Sequence, residues 1–131
     1  MSLTSIVFLY LAFRAKQLTG DFLLSSWSAR DKSKPFGQGG LRALSLHAGI
    51  HAACAFVVLM IFAPLFWWLA IVDFAVHFFI DKCKALLNNK MGWTYNDNAY
   101  WRLFGIDQEA HNLTHLSYII LIVMSSGITF H

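Results

Sequence analysis

Apolar residues fall into four long runs along the chain, and in three of them polar side chains recur at every fourth position. The clearest case is Asp73-Phe-Ala-Val-His77-Phe-Phe-Ile-Asp81, where three ionisable residues stand at i, i+4 and i+8. Residues so spaced share one face of a helix, so all three point the same way. The same device appears in His47-Ala-Gly-Ile-His51 and in Asp107-Gln-Glu-Ala-His111-Asn-Leu-Thr-His115. The first run contributes Asp21 in Leu-Thr-Gly-Asp-Phe-Leu-Leu. Four helices are therefore expected to wall one polar site.

The runs approach the roughly 20 residues that span a bilayer. They predict an all-α protein, an integral membrane four-helix bundle of one domain covering 1–131, with helices over about 3–28, 43–63, 65–87 and 107–130. Pro64 ends the second helix because proline cannot continue the hydrogen-bond ladder. Asp107 is the expected N-cap of the fourth. Residues 88–106, polar and aromatic, are expected to form a loop lying on the headgroups as a lid. The first run lacks a basic start and a small-residue cleavage site, so it reads as a span and not as a cleaved signal.

Composition strengthens the membrane reading. The 131 residues are 57% hydrophobic and only 13% charged, with 12 Phe and 5 Trp, well outside the range of soluble domains. Cys54 and Cys83 form no paired-cysteine motif and read as packing residues. The formal charge of +3 does not indicate nucleic acid, because the basic residues gather at expected membrane edges. Of ten Lys and Arg, four lie in the first loop, four between Lys82 and Arg102, and two, Arg14 and Lys16, within the first helix. The positive-inside rule then puts both basic loops in the cytoplasm and both termini outward.

With that topology, a rise of 1.5 Å per residue brings Asp21, His47, His51, Asp73, His77, Asp81, Asp107, His111 and His115 to one depth, the cytoplasmic half of the bundle. An isolated intramembrane His more often bonds a neighbouring helix than a ligand. So many ionisable groups in register are another matter, because each buried acid costs several kcal/mol unless compensated. Bound metal supplies that compensation. His47, His51, Asp73, His77, Asp81, Asp107 and His111 are the expected ligands, with Asp21 or His115 as supporting group or general base. Nitrogen and oxygen donors without thiolate suit a divalent ion, Zn, Mn, Fe or Mg, and the donor count exceeds the need of one, so two ions are expected. Arg42, Lys84 and Arg102, at the rim, are candidates for holding a phosphate, or mark topology only. Arg14, seven residues before Asp21, is expected to pair with Asp73.

The segments Gly20-Asp21-Phe22, Trp27-Ser28-Ala29-Arg30, His47-Ala48-Gly49-Ile50-His51, His77-Phe78-Phe79-Ile80-Asp81 and Asp107-Gln108-Glu109-Ala110-His111 resemble the family of small membrane proteins named domain of unknown function 3307, over nearly the whole chain. The resemblance implies a His four residues before the first Asp, where this chain has Gln17. More distantly the arrangement looks like inner-membrane metal-dependent hydrolases, which implies a bacterial or phage-encoded inner membrane and hydrolysis of a membrane lipid or lipid-linked ester or phosphoester. A metal-ion carrier and a non-catalytic interaction protein are the rival readings. A haem bundle fits poorly, since the acids in the stripes sit badly beside a porphyrin.

Overall fold

The computed structural model describes residues 1–24 and 31–127. Its regular structure is helical: α1 Leu3–Leu18, α2 Gly40–Phe62, α3 Leu69–Met91 and α4 Asn98–Ser126. Ser2 caps α1, its side chain accepting from the Ser5 backbone N–H at 3.1 Å. A π-helical turn, Thr19–Leu24, continues α1, so the expected first helix holds through Leu24. Its remainder, and the segment Trp27-Ser28-Ala29-Arg30, lie outside the described residues. Short 3₁₀ turns at Phe36–Gln38 and Pro64–Phe66 precede α2 and α3. The helices pack in a ring, each against its neighbours in the chain and α1 against α4.

Each helix changes character at the same level. In α1, buried Leu9 and Phe13 give way to buried Lys16 and Gln17; in α2, His47 and His51 give way to Ala55, Val58 and Leu59. In α3, Leu69 and Ala70 precede Asp73, His77 and Asp81, and in α4, Asp107, His111 and His115 precede Tyr118, Ile119 and Ile122. Alternation of chain direction turns these four sequence patterns into two layers, a dry apolar core at one end and a polar interior at the other. The polar end carries the first loop and the α3–α4 turn, joined where Asn89 Nδ2 donates to the Ser33 carbonyl at 2.8 Å.

Several boundaries differ from expectation: α2 starts at Gly40 instead of 43, and α3 starts at Leu69 instead of 65, because Pro64–Phe66 forms a separate 3₁₀ turn. The fourth helix begins at Asn98, not 107, so Asp107 is an interior residue facing the bundle and not an N-cap. The expected lid over 88–106 is therefore mostly helix, the end of α3 and the start of α4, with a short turn opened by Gly92 at φ 68°. The Thr94 backbone N–H and Oγ1 bond Asp97 Oδ2 at 2.7 and 3.2 Å and tighten that turn. Of the described helices, α2 alone is long and apolar enough to cross a membrane, with a mean hydropathy of 2.0. The described α1 has 16 residues, and α3 is interrupted by Asp73, Asp81, Lys82 and Lys84. The apolar half of α4 is diluted by Asn112, Thr114, His115 and Ser117.

Candidate metal centre

The nine sequence-derived site residues come together, in three groups whose donor atoms each lie within 4.8 Å of one another: Asp21, His47 and His51; Asp81, Asp107 and His111; Asp73, His77 and His115. In the first, Asp21 Oδ1 lies 3.3 Å from His47 Nε2 and 3.1 Å from His51 Nε2. The other carboxylate oxygen, Oδ2, accepts from Gln17 Nε2 at 2.7 Å and Gln108 Nε2 at 2.9 Å. Two amides thus fix the carboxylate and leave one oxygen for the imidazoles. The fit depends on Gly20, where an added Cβ would lie 2.7 Å from His51 Nε2 and 2.8 Å from its Nδ1.

Asp81 joins the first group to the second. Its Oδ2 is 3.0 Å from His47 Nε2 and its Oδ1 is 3.5 Å from His111 Nε2. His111 Nε2 also faces Asp107 Oδ1 at 3.6 Å. His47 and His111 therefore each present one ring nitrogen to oxygens of two carboxylates. An imidazole nitrogen carries at most one proton, so His111 can serve only one of its two facing oxygens, and Asp107 Oδ1 has no hydrogen-bond partner among the described residues. Donors arranged tetrahedrally around an ion at 2.0–2.2 Å stand roughly 3.3–3.6 Å apart, close to the spacings here. Two groups linked by a shared carboxylate thus have the donor chemistry and spacing for two divalent ions.

The third group differs in that its cation is sealed from solvent, whereas Lys32 and Lys84 beside the other two groups stay partly exposed. Lys16 Nζ, sealed at 1% exposure, lies 2.6 Å from Asp73 Oδ2 and 3.0 Å from His115 Nε2. His115 Nε2 is 3.2 Å from Asp73 Oδ1, and its ring stacks on Phe13 at 4.9 Å. The expected Arg14–Asp73 pair is absent: Arg14 is exposed and Lys16 holds Asp73. Extrapolation at α-helical spacing from Asp21 fails because the π turn inserts extra residues per turn and shifts the register. Lys16 instead continues the buried face of Leu9 and Phe13, the signal that could have identified it.

His77 stands between the groups, its ring stacked on His51 at 4.1 Å and on His111 at 4.0 Å. Gln17 must turn its amide N–H toward the Asp21 carboxylate, so its oxygen accepts from His77 Nε2 at 3.2 Å. His77 Nδ1 faces the Asp73 carbonyl at 3.2 Å. Gln17 and Gln108, which sequence reasoning did not place in the site, are its connecting amides. Lys84 Nζ pairs with Asp107 Oδ2 at 2.7 Å, and Lys32 Nζ approaches His47 Nε2 at 3.2 Å and Asp81 Oδ2 at 3.5 Å. Arg42 and Arg102, by contrast, are exposed.

No curated protein and no solved structure matches the chain. The pattern described as protein of unknown function (DUF3307) matches residues 8–131, and the chain belongs to that family.

Proposed function

We propose that the protein is a membrane-embedded, metal-dependent hydrolase with a two-ion centre, acting on a lipid or lipid-linked ester or phosphoester. The observation that carries this reading is Asp81, whose two oxygens face imidazole nitrogens of two different groups. Asp21, His47, His51 and Asp81 would hold one ion, and Asp81, Asp107 and His111 the second. Such a pair supplies an activated water and a clamp for a phosphoryl or carbonyl oxygen. Gln17 and Gln108 orient Asp21, while Lys16 neutralises Asp73 and leaves the third group a polar support. Supporting the membrane reading, large apolar side chains line the outside of every helix, among them Leu11, Ile61, Phe79 and Leu113, while the ionisable stripes are buried. A bundle with the basic loops in the cytoplasm would open this site toward the inner leaflet.

Metal analysis of the purified protein tests the reading. Wild type is expected to retain two divalent ions per chain. His51→Ala and His111→Ala should each lose about one, Asp81→Asn should lose both, and His115→Ala should keep both. Full occupancy in the first three variants would refute the centre. Release of phosphate or fatty acid from lipid substrates by the loaded protein, abolished by chelation, then tests hydrolysis itself.

A further inference from the structure

Beside the two linked groups lies a cavity of about 320 Å³, and Asp21 and Asp81 form part of its wall. That volume is at the lower end for small-molecule sites, enough for a headgroup and its ester region but not for long acyl chains. The rest of the lining divides by chemistry. Lys32, Lys84 and Asn88 are its charged and amide members, and Phe22, Leu103 and Phe104 its large apolar ones, with Lys84 Nζ 5.5 Å from the centre of the Phe104 ring. The Lys32 and Lys84 side chains remain 18% and 26% exposed while that of Lys16 is sealed, and Lys84 Nζ reaches the cavity from its pair with Asp107 Oδ2 at 2.7 Å. Asn88 Oδ1 is buried with no partner among the described residues, an acceptor suited to a ligand hydroxyl.

Lys32 has a further property. Its Nζ sits 3.2 Å from His47 Nε2 and 3.5 Å from Asp81 Oδ2, atoms that the two-ion reading gives to a metal. Two cations cannot share those atoms. An ion there repels the ammonium, and the cavity that Lys32 lines is the adjacent space open to it.

We propose that this cavity is a subsite for a phosphoester headgroup carrying an apolar tail, with Lys32 and Lys84 holding the phosphate and Phe22, Leu103 and Phe104 the first carbons of the tail. Metal loading strengthens the subsite by releasing Lys32 into it. The inference rests on the two-ion reading for that last step and narrows the substrate class from any lipid ester to a phosphoester.

The test is binding to the purified full chain, with and without Mn²⁺, using three probes: dihexanoyl phosphatidic acid, dihexanoylglycerol and inorganic phosphate. The Mn²⁺-loaded protein should bind the phosphatidic acid at least about tenfold more tightly than either other probe, a factor in keeping with charge-assisted hydrogen bonds. Equal binding of dihexanoylglycerol would overturn the phosphate assignment, and equal binding of inorganic phosphate would overturn the tail. Lys32→Gln and Lys84→Gln should each weaken phosphatidic acid roughly tenfold; unchanged affinity in both ends the proposal. Leu103→Trp disturbs no charge and keeps the test open if a lysine variant fails to fold. It should weaken phosphatidic acid and spare inorganic phosphate, and an unchanged lipid affinity counts against the apolar wall. Removing Mn²⁺ should cost wild type about tenfold, while an affinity indifferent to metal overturns the release of Lys32. Protein that takes up no metal yet shows lysine-dependent phosphatidic acid binding would sink the two-ion reading and leave the subsite standing.

Discussion

Lys16 and Asp73 form the most deeply sealed charge pair among the described residues, at 1% and 0% side-chain exposure. Removing one member of such a pair strands a charge, which typically costs about 3–5 kcal/mol, whereas replacing both with apolar groups of similar volume costs little. Thermal unfolding should therefore show a large loss for Lys16→Met, and the Lys16→Met/Asp73→Leu double variant should recover most of it. Arg14→Ala, on the exposed surface, should stay within about 0.5 kcal/mol of wild type. Individual ligand candidates were legible in the sequence because i, i+4 spacing is a local property of a helix. Their compensating partners were not. Lys16 meets Asp73 across 57 positions and Gln108 meets Asp21 across 87, and periodicity carries no information about which helices face each other.

The elements were legible in number and order, and less so in their ends. Asn98-Ala-Tyr-Trp-Arg-Leu-Phe-Gly-Ile reads as a loop because it mixes aromatic, polar and glycine residues. It folds as the first turns of α4 because Trp101, Arg102 and Gly105 lie outward while Leu103 and Phe104 are half-buried against the cavity. Gly105 is tolerated inside the helix at a cost of about 1 kcal/mol relative to Ala. The helical assignment predicts that Arg102→Pro costs about 3 kcal/mol in thermal unfolding, since proline removes a hydrogen bond and clashes with the preceding turn. A flexible lid would accept the same change without loss.

Across the whole molecule the division into a dry end and a polar end follows from four local patterns and the reversal of chain direction at each turn. The sequence pattern therefore foretold the layer in which the nine ionisable residues gather, although α2 alone among the described helices satisfies the criteria for a spanning helix. The proposed orientation has a direct check in a background of Cys54→Ala and Cys83→Ala. Gly37→Cys lies in the first loop, where an added Cβ meets nothing within 4 Å, and Ser126→Cys lies exposed at the opposite end. An impermeant thiol reagent outside intact cells should label Cys at 126 and spare Cys at 37. The reverse pattern would turn the site toward the outer leaflet.

Asp81 also bears on how the proposed centre fills. A carboxylate whose two oxygens serve two ions is oriented for the second once the first is bound, so the entropy of fixing it falls on a single event. Repulsion between the ions opposes this, and the sign of the net effect is readable from a titration. Uptake of Mn²⁺ should be cooperative, with a Hill coefficient above one. Linkage then makes the coupling reciprocal, so that His111→Ala should weaken binding at the His47/His51 side, although neither of those residues has been touched.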